Sequence, residues 1–285
     1  MIEFAPATLL VQLAVGGLAF TWLTTRRREA GLGYGWLMRG VFGSLAAGGA
    51  WLGFASDPQP VRDWAAVGAA AAAAAALAMS VARRRAGVSG QRGRVERRRA
   101  EIAEMTGIDR SEQHFDRSRS EFPPVLDLIA PAVGMVGVVA GGLDAGDPAA
   151  LAVARTVIGA LFLGAVTDAM LLGHWYLVQP GLARGPLLEL VRWTGALWLP
   201  EVVVMLWPTG MGSVLSGTID DGYNGLLGWF WVACAVTTAG LIVGARAALR
   251  ERFYSAVMAA TGLLYLGILT GFGTDLVARV LLDTT

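Results

Sequence analysis

Apolar residues in this chain come in long runs, and arginines gather where the runs end. A helix that crosses a bilayer needs about 20 mostly apolar residues. Runs of that length read as helices from Pro6 to Thr24, Trp36 to Phe54, Trp64 to Ala82, Pro124 to Gly142, Ala149 to Val178, Leu187 to Trp207, Leu226 to Ala245 and Phe253 to Leu282. The pattern predicts an all-α fold, a polytopic transmembrane helical bundle of about eight spans. Residues 1–285 then form a single integral membrane domain. Within it the long polar stretch 83–124 is a cytoplasmic loop, with a solvated helix expected over 94–106.

The placement of charge gives this bundle a direction. All 23 basic residues are arginine. With eight spans, alternate loops collect Arg26, Arg27, Arg28, Arg39, the Arg83–Arg119 cluster, Arg184, Arg192, Arg246, Arg250 and Arg252. Only Arg62, Arg155 and Arg279 fall on the other side. Because cytoplasmic loops carry the excess of basic residues, the crowded side is expected to face the cytoplasm. Both termini then lie on the non-cytoplasmic side of a bacterial inner membrane. The first run has Glu3 ahead of it and Arg26–Arg28 behind it, the reverse of a secretory signal, so it reads as a retained span.

Composition narrows the chemistry. The chain is 55% hydrophobic and only 16% charged, against about 25% charged in soluble domains. A net charge of +1 supplies no field that would draw nucleic acid. Cys234 is the single cysteine, which rules out an internal disulfide or a thiolate metal cluster. Without lysine there is no Schiff-base site for retinal or pyridoxal phosphate. The phosphate-loop, zinc-protease, nucleophile-elbow and dinucleotide motifs are absent, and GLGYG at 31–35 is too short and isolated to cradle a phosphate. No metal site and no catalytic constellation is predicted, and whether the chain is an enzyme stays open.

Aromatic and small residues fit the same picture. Trp22, Trp36, Trp51, Trp64, Trp193, Trp207 and Trp229 fall near predicted span ends, where amphipathic rings settle. Gly137 with Gly141, and Gly267 with Gly271, form GxxxG pairs that serve either internal packing or a homodimer seam.

Ionisable groups within spans are costly and rare, so each is a candidate site. Asp168 and His174 lie in the fifth run and Glu201 in the sixth, just after Pro200. At about 1.5 Å rise per residue, Asp168 and Glu201 are expected at similar, near-central depth, where two close carboxylates would share a proton. Trp175, Tyr176 and Trp198 are expected to form an aromatic wall. His174 beside it suits a quinone headgroup, which needs a donor and a flat apolar surface. One intramembrane histidine cannot supply a bis-histidine haem site. Asp275 and Arg279 are four apart on one helix face, and Arg155 lies at comparable depth, which predicts an ion pair near the outer surface.

Three functions are compatible with this inventory. The chain is read first as an embedded subunit of a larger bioenergetic membrane complex with a quinone- or proton-handling site. The alternatives are a proton- or ion-coupled small-substrate transporter and a structural scaffold without chemistry. Quinone or bound lipid are the ligands the sequence allows. Membrane lipids, other membrane subunits or a second copy of the chain are the partners it suggests.

Overall fold

A computed structural model describes residues 4–27, 29–84, 86, 100, 120–179, 182–208 and 210–283. Among these residues the protein is all-helical. Its helices are α1 (Pro6–Thr25), α2 (Leu32–Ser56), α3 (Pro60–Ala82), α4 (Ile129–Asp144, entered through a 3-10 turn at Pro124–Leu128), α5 (Ala149–Val178), α6 (Gly185–Leu206), the short α7 (Met211–Leu215), α8 (Leu226–Arg250) and α9 (Tyr254–Asp283). The expected helix over 94–106, residue 100 apart, lies outside the described residues.

Six of the long segments are both long and apolar enough to cross a membrane: α1, α3, the Pro124–Asp144 segment, α5, α8 and α9. Among the described residues six segments meet both criteria, and the expected count of about eight spans is not confirmed. The two long helices that fall short are α2 and α6. Arg39 and a high glycine content dilute α2, while Glu189, Arg192 and Glu201 dilute α6. Proline at N1 or N2 starts α1, α3 and α6, where its missing N–H removes no helical bond.

The helices form two rings of four. In the first, α1 packs on α2, α2 on α3, α3 on α4 and α4 back on α1. In the second, α5 packs on α6, α6 on α8, α8 on α9 and α9 back on α5. The rings join along α1 and α5, which run parallel. Gln12 on α1 donates from Nε2 to the Thr156 carbonyl on α5 at 2.6 Å. One turn further on, a Cβ at Gly16 would lie 1.8 Å from the Ala160 carbonyl oxygen, and one at Gly164 would lie 2.2 Å from the Gly16 backbone. Only glycine lets the two backbones come this close. Both ends of the described chain meet, since Phe4 N–H donates to Asp283 Oδ1 at 2.9 Å.

The surface is apolar and part of the interior is charged. Leu199, Val236, Val243, Leu269 and many similar residues are exposed, whereas Arg39, Arg62, Asp63, Asp127, Arg155, Asp168, Glu201, Asp275 and Arg279 are buried. Trp51, Trp64, Trp207 and Trp229 are each more than 60% exposed, and all sit toward one end of the bundle. Three of the four GxxxG glycines face neighbouring helices, while a Cβ at Gly267 would meet nothing within 4 Å. Gly137 faces Ala65 and Arg62, Gly141 faces Thr8, and Gly271 faces Phe162 and Val166.

Candidate functional site

Buried charge in this bundle is handled in two ways, compensated and bare. Compensated pairs hold the ends together. Arg39 on α2 donates from Nε and Nη2 to both oxygens of Asp127, each at 2.7 Å, and Thr25 adds a hydroxyl at 3.0 Å. At the opposite end Arg62 bonds Asp63 at 2.9 Å, Asp57 at 3.0 Å and Thr8 at 3.1 Å. Nothing in the sequence marks either arginine as a buried partner, because each stands near a run end where arginine ordinarily meets water.

The outer cluster belongs to the second ring. Arg279 on α9 forms a fork onto Asp275, one turn earlier, with Nε–Oδ2 at 2.8 Å and Nη2–Oδ1 at 2.9 Å. Its Nη2 also donates to the Arg155 carbonyl on α5 at 3.0 Å. Gly159 makes room for the pair, since a Cβ there would lie 2.5 Å from Arg279 and 2.6 Å from Asp275. Arg155 donates from Nε to the Val204 carbonyl of α6 at 2.7 Å. Glu201, also on α6 and fully buried, lies within electrostatic reach of Asp275, Arg279 and Arg155. Asp275 is held by bonds, which makes its burial tolerable. Among the described residues neither Glu201 oxygen has a hydrogen-bond partner, and its only counter-charges are the two arginines within electrostatic reach.

Asp168 stands apart from this cluster. It is fully buried, and neither carboxylate oxygen has a hydrogen-bond partner in the protein. On its own helix it is flanked by Ala165, Ala169 and Leu172, members of the main apolar cluster. The group that feels its charge is Tyr34 on α2. The Tyr34 hydroxyl lies near Thr24 and makes no hydrogen bond of good geometry.

Asp168 and Glu201 are therefore not brought together, contrary to the shared-proton expectation. The helix ends explain why. Asp168 is ten residues from the end of α5 at Val178, and Glu201 is sixteen from the start of α6 at Gly185. At about 1.5 Å per residue those depths are about 15 Å and about 24 Å from the same end of the bundle. Glu201 thus joins Arg155, Asp275 and Arg279.

The aromatic wall is not assembled either. Residues 174, 175 and 176 are successive on one helix and point in three directions. His174 is exposed, and its Nδ1 is 2.7 Å from the Tyr265 hydroxyl on α9. Trp175 turns to α2, with its ring centroid 6.1 Å from that of Tyr34. The buried Tyr176 donates its hydroxyl to the Ala183 carbonyl at 2.6 Å, and Trp198 donates to the Ala235 carbonyl at 3.0 Å. Among the described residues no group of three or more histidine, cysteine or acidic side chains is placed to hold a metal.

A separate outward-facing cleft of about 710 Å³ lies between α2 and α3, lined by Gly40, Gly43, Ser44, Ala47, Trp51 and Phe54 among others. It is apolar and holds none of the acids described above.

Comparison with protein-family models, curated proteins and solved structures found no match for the chain.

Proposed function

We propose that this chain is a multi-pass membrane protein whose chemistry is proton handling at Asp168. In this reading α2 and α6 also cross, which makes eight spans. The arginine-rich end faces the cytoplasm, and both termini lie on the other side of a bacterial inner membrane. The apolar exterior, the charged interior and the Phe4–Asp283 bond support it, because an even number of crossings returns the chain to its starting side. The protein would act as an embedded subunit of a larger bioenergetic assembly, with other membrane subunits and lipid as partners. The cleft between α2 and α3 suits acyl chains.

The observation that carries the chemistry is the bare carboxylate of Asp168. In a low-dielectric interior an uncompensated carboxylate is neutralised by a proton or a bound cation. Ionisable groups of this kind mark proton and ion routes in membrane proteins. A quinone site is less well supported, since His174 lacks the expected wall and has only Tyr265 beside it. The proton reading is tested by reconstituting the protein in vesicles, imposing a membrane potential and following internal pH with a trapped dye. Asp168→Asn should abolish uptake while the protein stays folded. Uptake equal to that of the unaltered protein would refute the assignment.

A proton-coupled transporter is the second reading, and one observation favours it. The two four-helix rings, joined through parallel α1 and α5, divide the bundle into two halves with a seam between them, and transporter sites commonly lie between two halves. Asp168 lies on α5 close to that seam.

A further inference from the structure

Among the described residues, seven of the eight that carry buried polar side-chain atoms with no partner in the protein lie in one sector. They are on the last turns of α1 and the residue after it, the first turn of α2, and the second half of α5 and the residue after it; Glu201 is the exception. This clustering is not expected of random packing faults. Buried polar atoms are nearly always hydrogen-bonded, to protein or to ordered water.

The atoms in question are Thr21 Oγ1, Arg26 Nε, Tyr34 Oη, Thr167 Oγ1, both Asp168 oxygens, Trp175 Nε1 and Gln179 Oε1. Asp168, Trp175 and Gln179 are at i, i+7 and i+11 on α5, so they share one stripe of that helix. The stripe runs from Asp168 to the arginine-rich end over about 16 Å. Facing it are the α1–α2 turn and Tyr34. A Cβ at Gly33 would lie 3.2 Å from the Trp175 ring, and one at Gly31 would lie 2.9 Å from Gln179 Oε1. Two glycines thus let the turn close over the end of the stripe. On the far side of Asp168 the groups become apolar, with Phe162, Leu163 and Val166 all buried. This layer separates Asp168 from the Glu201–Asp275 cluster.

We infer that these residues line a water-filled half-channel that leads from the arginine-rich end of the bundle to Asp168 and stops there. Water is the occupant that matches the site, because it both donates and accepts, as this mixture of hydroxyl, indole, amide and carboxylate groups requires. The inference rests on the reading of Asp168 as the proton acceptor and adds the side from which protons arrive.

The test uses the full chain, whose only cysteine, Cys234, is first replaced by Cys234→Ala. Single cysteines are then introduced as Thr21→Cys, Tyr34→Cys, Trp175→Cys and Gln179→Cys, with Leu163→Cys in the apolar layer as the dry control. Each variant is reconstituted with known orientation and treated from one face with a charged, membrane-impermeant thiosulfonate. The reagent attacks hydrated thiolates, so the four path positions should react from the arginine-rich face about tenfold or more faster than Leu163→Cys. Rates no faster than this control, or reaction only from the opposite face, would overturn the inference. Because a cysteine at Tyr34 or Trp175 can disturb folding, the unaltered protein gives a second readout. Hydroxyl radicals generated from water should oxidise Tyr34 and Trp175 well above Trp231, whose indole donates to the Thr274 carbonyl in a buried site. Equal oxidation of all three would also overturn it. Labelling along the path with proton uptake unaffected by Asp168→Asn would leave the water route and remove the proton role. Loss of uptake without labelling would leave the proton role and remove the route.

Discussion

The Asp275 cluster and Asp168 are both buried acids in the same bundle, yet they are built on opposite plans. Asp275 sits inside the second ring, gripped by Arg279 through two bonds and backed by Arg155 and Glu201. Asp168 sits near the seam between the rings, with a tyrosine in reach and no donor. A satisfied charge pair has one low-energy state and acts as a fastener. A bare acid has two, protonated and ionised, whose balance depends on access to water. In the proposed function the first centre is structural and the second carries the chemistry, and each assignment can be broken by substitution.

The largest effect belongs to the fastener. Asp275→Asn leaves Arg279 buried without its counter-charge and should destabilise the bundle by about 3 to 5 kcal/mol. Removing both charges together, Asp275→Leu with Arg279→Leu, should cost much less, because no orphan remains. Thermal unfolding in detergent measures both. A double variant no better than the single one would mean that the pair is more than a fastener.

A smaller effect is expected at the seam. Gly16→Ala places a methyl group against the Ala160 carbonyl and must push α1 from α5, costing about 1 to 3 kcal/mol. It should also impair proton uptake, because Asp168 is near this seam, while leaving the Arg279–Asp275 pair intact. Gly267→Ala enters open space and should change stability by less than about 0.5 kcal/mol. If the two glycines respond alike, the close approach of the rings carries no weight.

Asp168→Asn should be nearly silent in stability, within about 1 kcal/mol, because it removes no bond that the protein makes. Its effect should appear in uptake. A large loss of stability would turn Asp168 into a second fastener and erase the contrast.

The sequence reveals the outline of this arrangement and hides its pairing. Run length and terminal arginines place nearly every helix to within a few residues, because lipid forces backbone hydrogen bonds inside each segment. The i,i+4 spacing of Asp275 and Arg279 is local, so it is legible. Depth counted from run ends pairs Glu201 with Asp168, and the axial difference of about 9 Å, or about six residues, comes from where α5 and α6 stop and start. Arg39 with Asp127 could not be paired from the sequence, since the polar segment between α3 and α4 separates them. Tyr34 lies within GLGYG, a segment notable in the sequence only as a poor phosphate loop. Its facing of Asp168 depends on how the rings dock, which no local pattern encodes.

The smallest effect concerns a third kind of acid, one compensated by backbone alone. Asp221 lies in the loop before α8. Its Oδ1 accepts from Tyr223 N–H at 2.9 Å and Gly225 N–H at 2.8 Å, and its Oδ2 accepts from Leu227 N–H at 2.9 Å and Gly228 N–H at 3.3 Å. These are turn and first-turn amides, the orphan donors of a helix start. Burial works to raise its carboxyl, but the four N–H bonds outweigh it and hold the group below the ordinary aspartate value. The folded loop therefore binds its proton less readily than the unfolded chain does. The stabilisation is complete above about pH 3.9, the ordinary aspartate value, and fades as pH falls through the lower folded value. Amide hydrogen exchange at Tyr223, Gly225, Leu227 and Gly228 should stay slow down to that range and then quicken, while helix interiors remain protected. Asp221→Asn should weaken protection at every pH and flatten the transition. If acid leaves these four amides protected until the whole bundle opens, backbone donors alone do not set the behaviour of this acid, and the ranking of acids by compensation loses its third member.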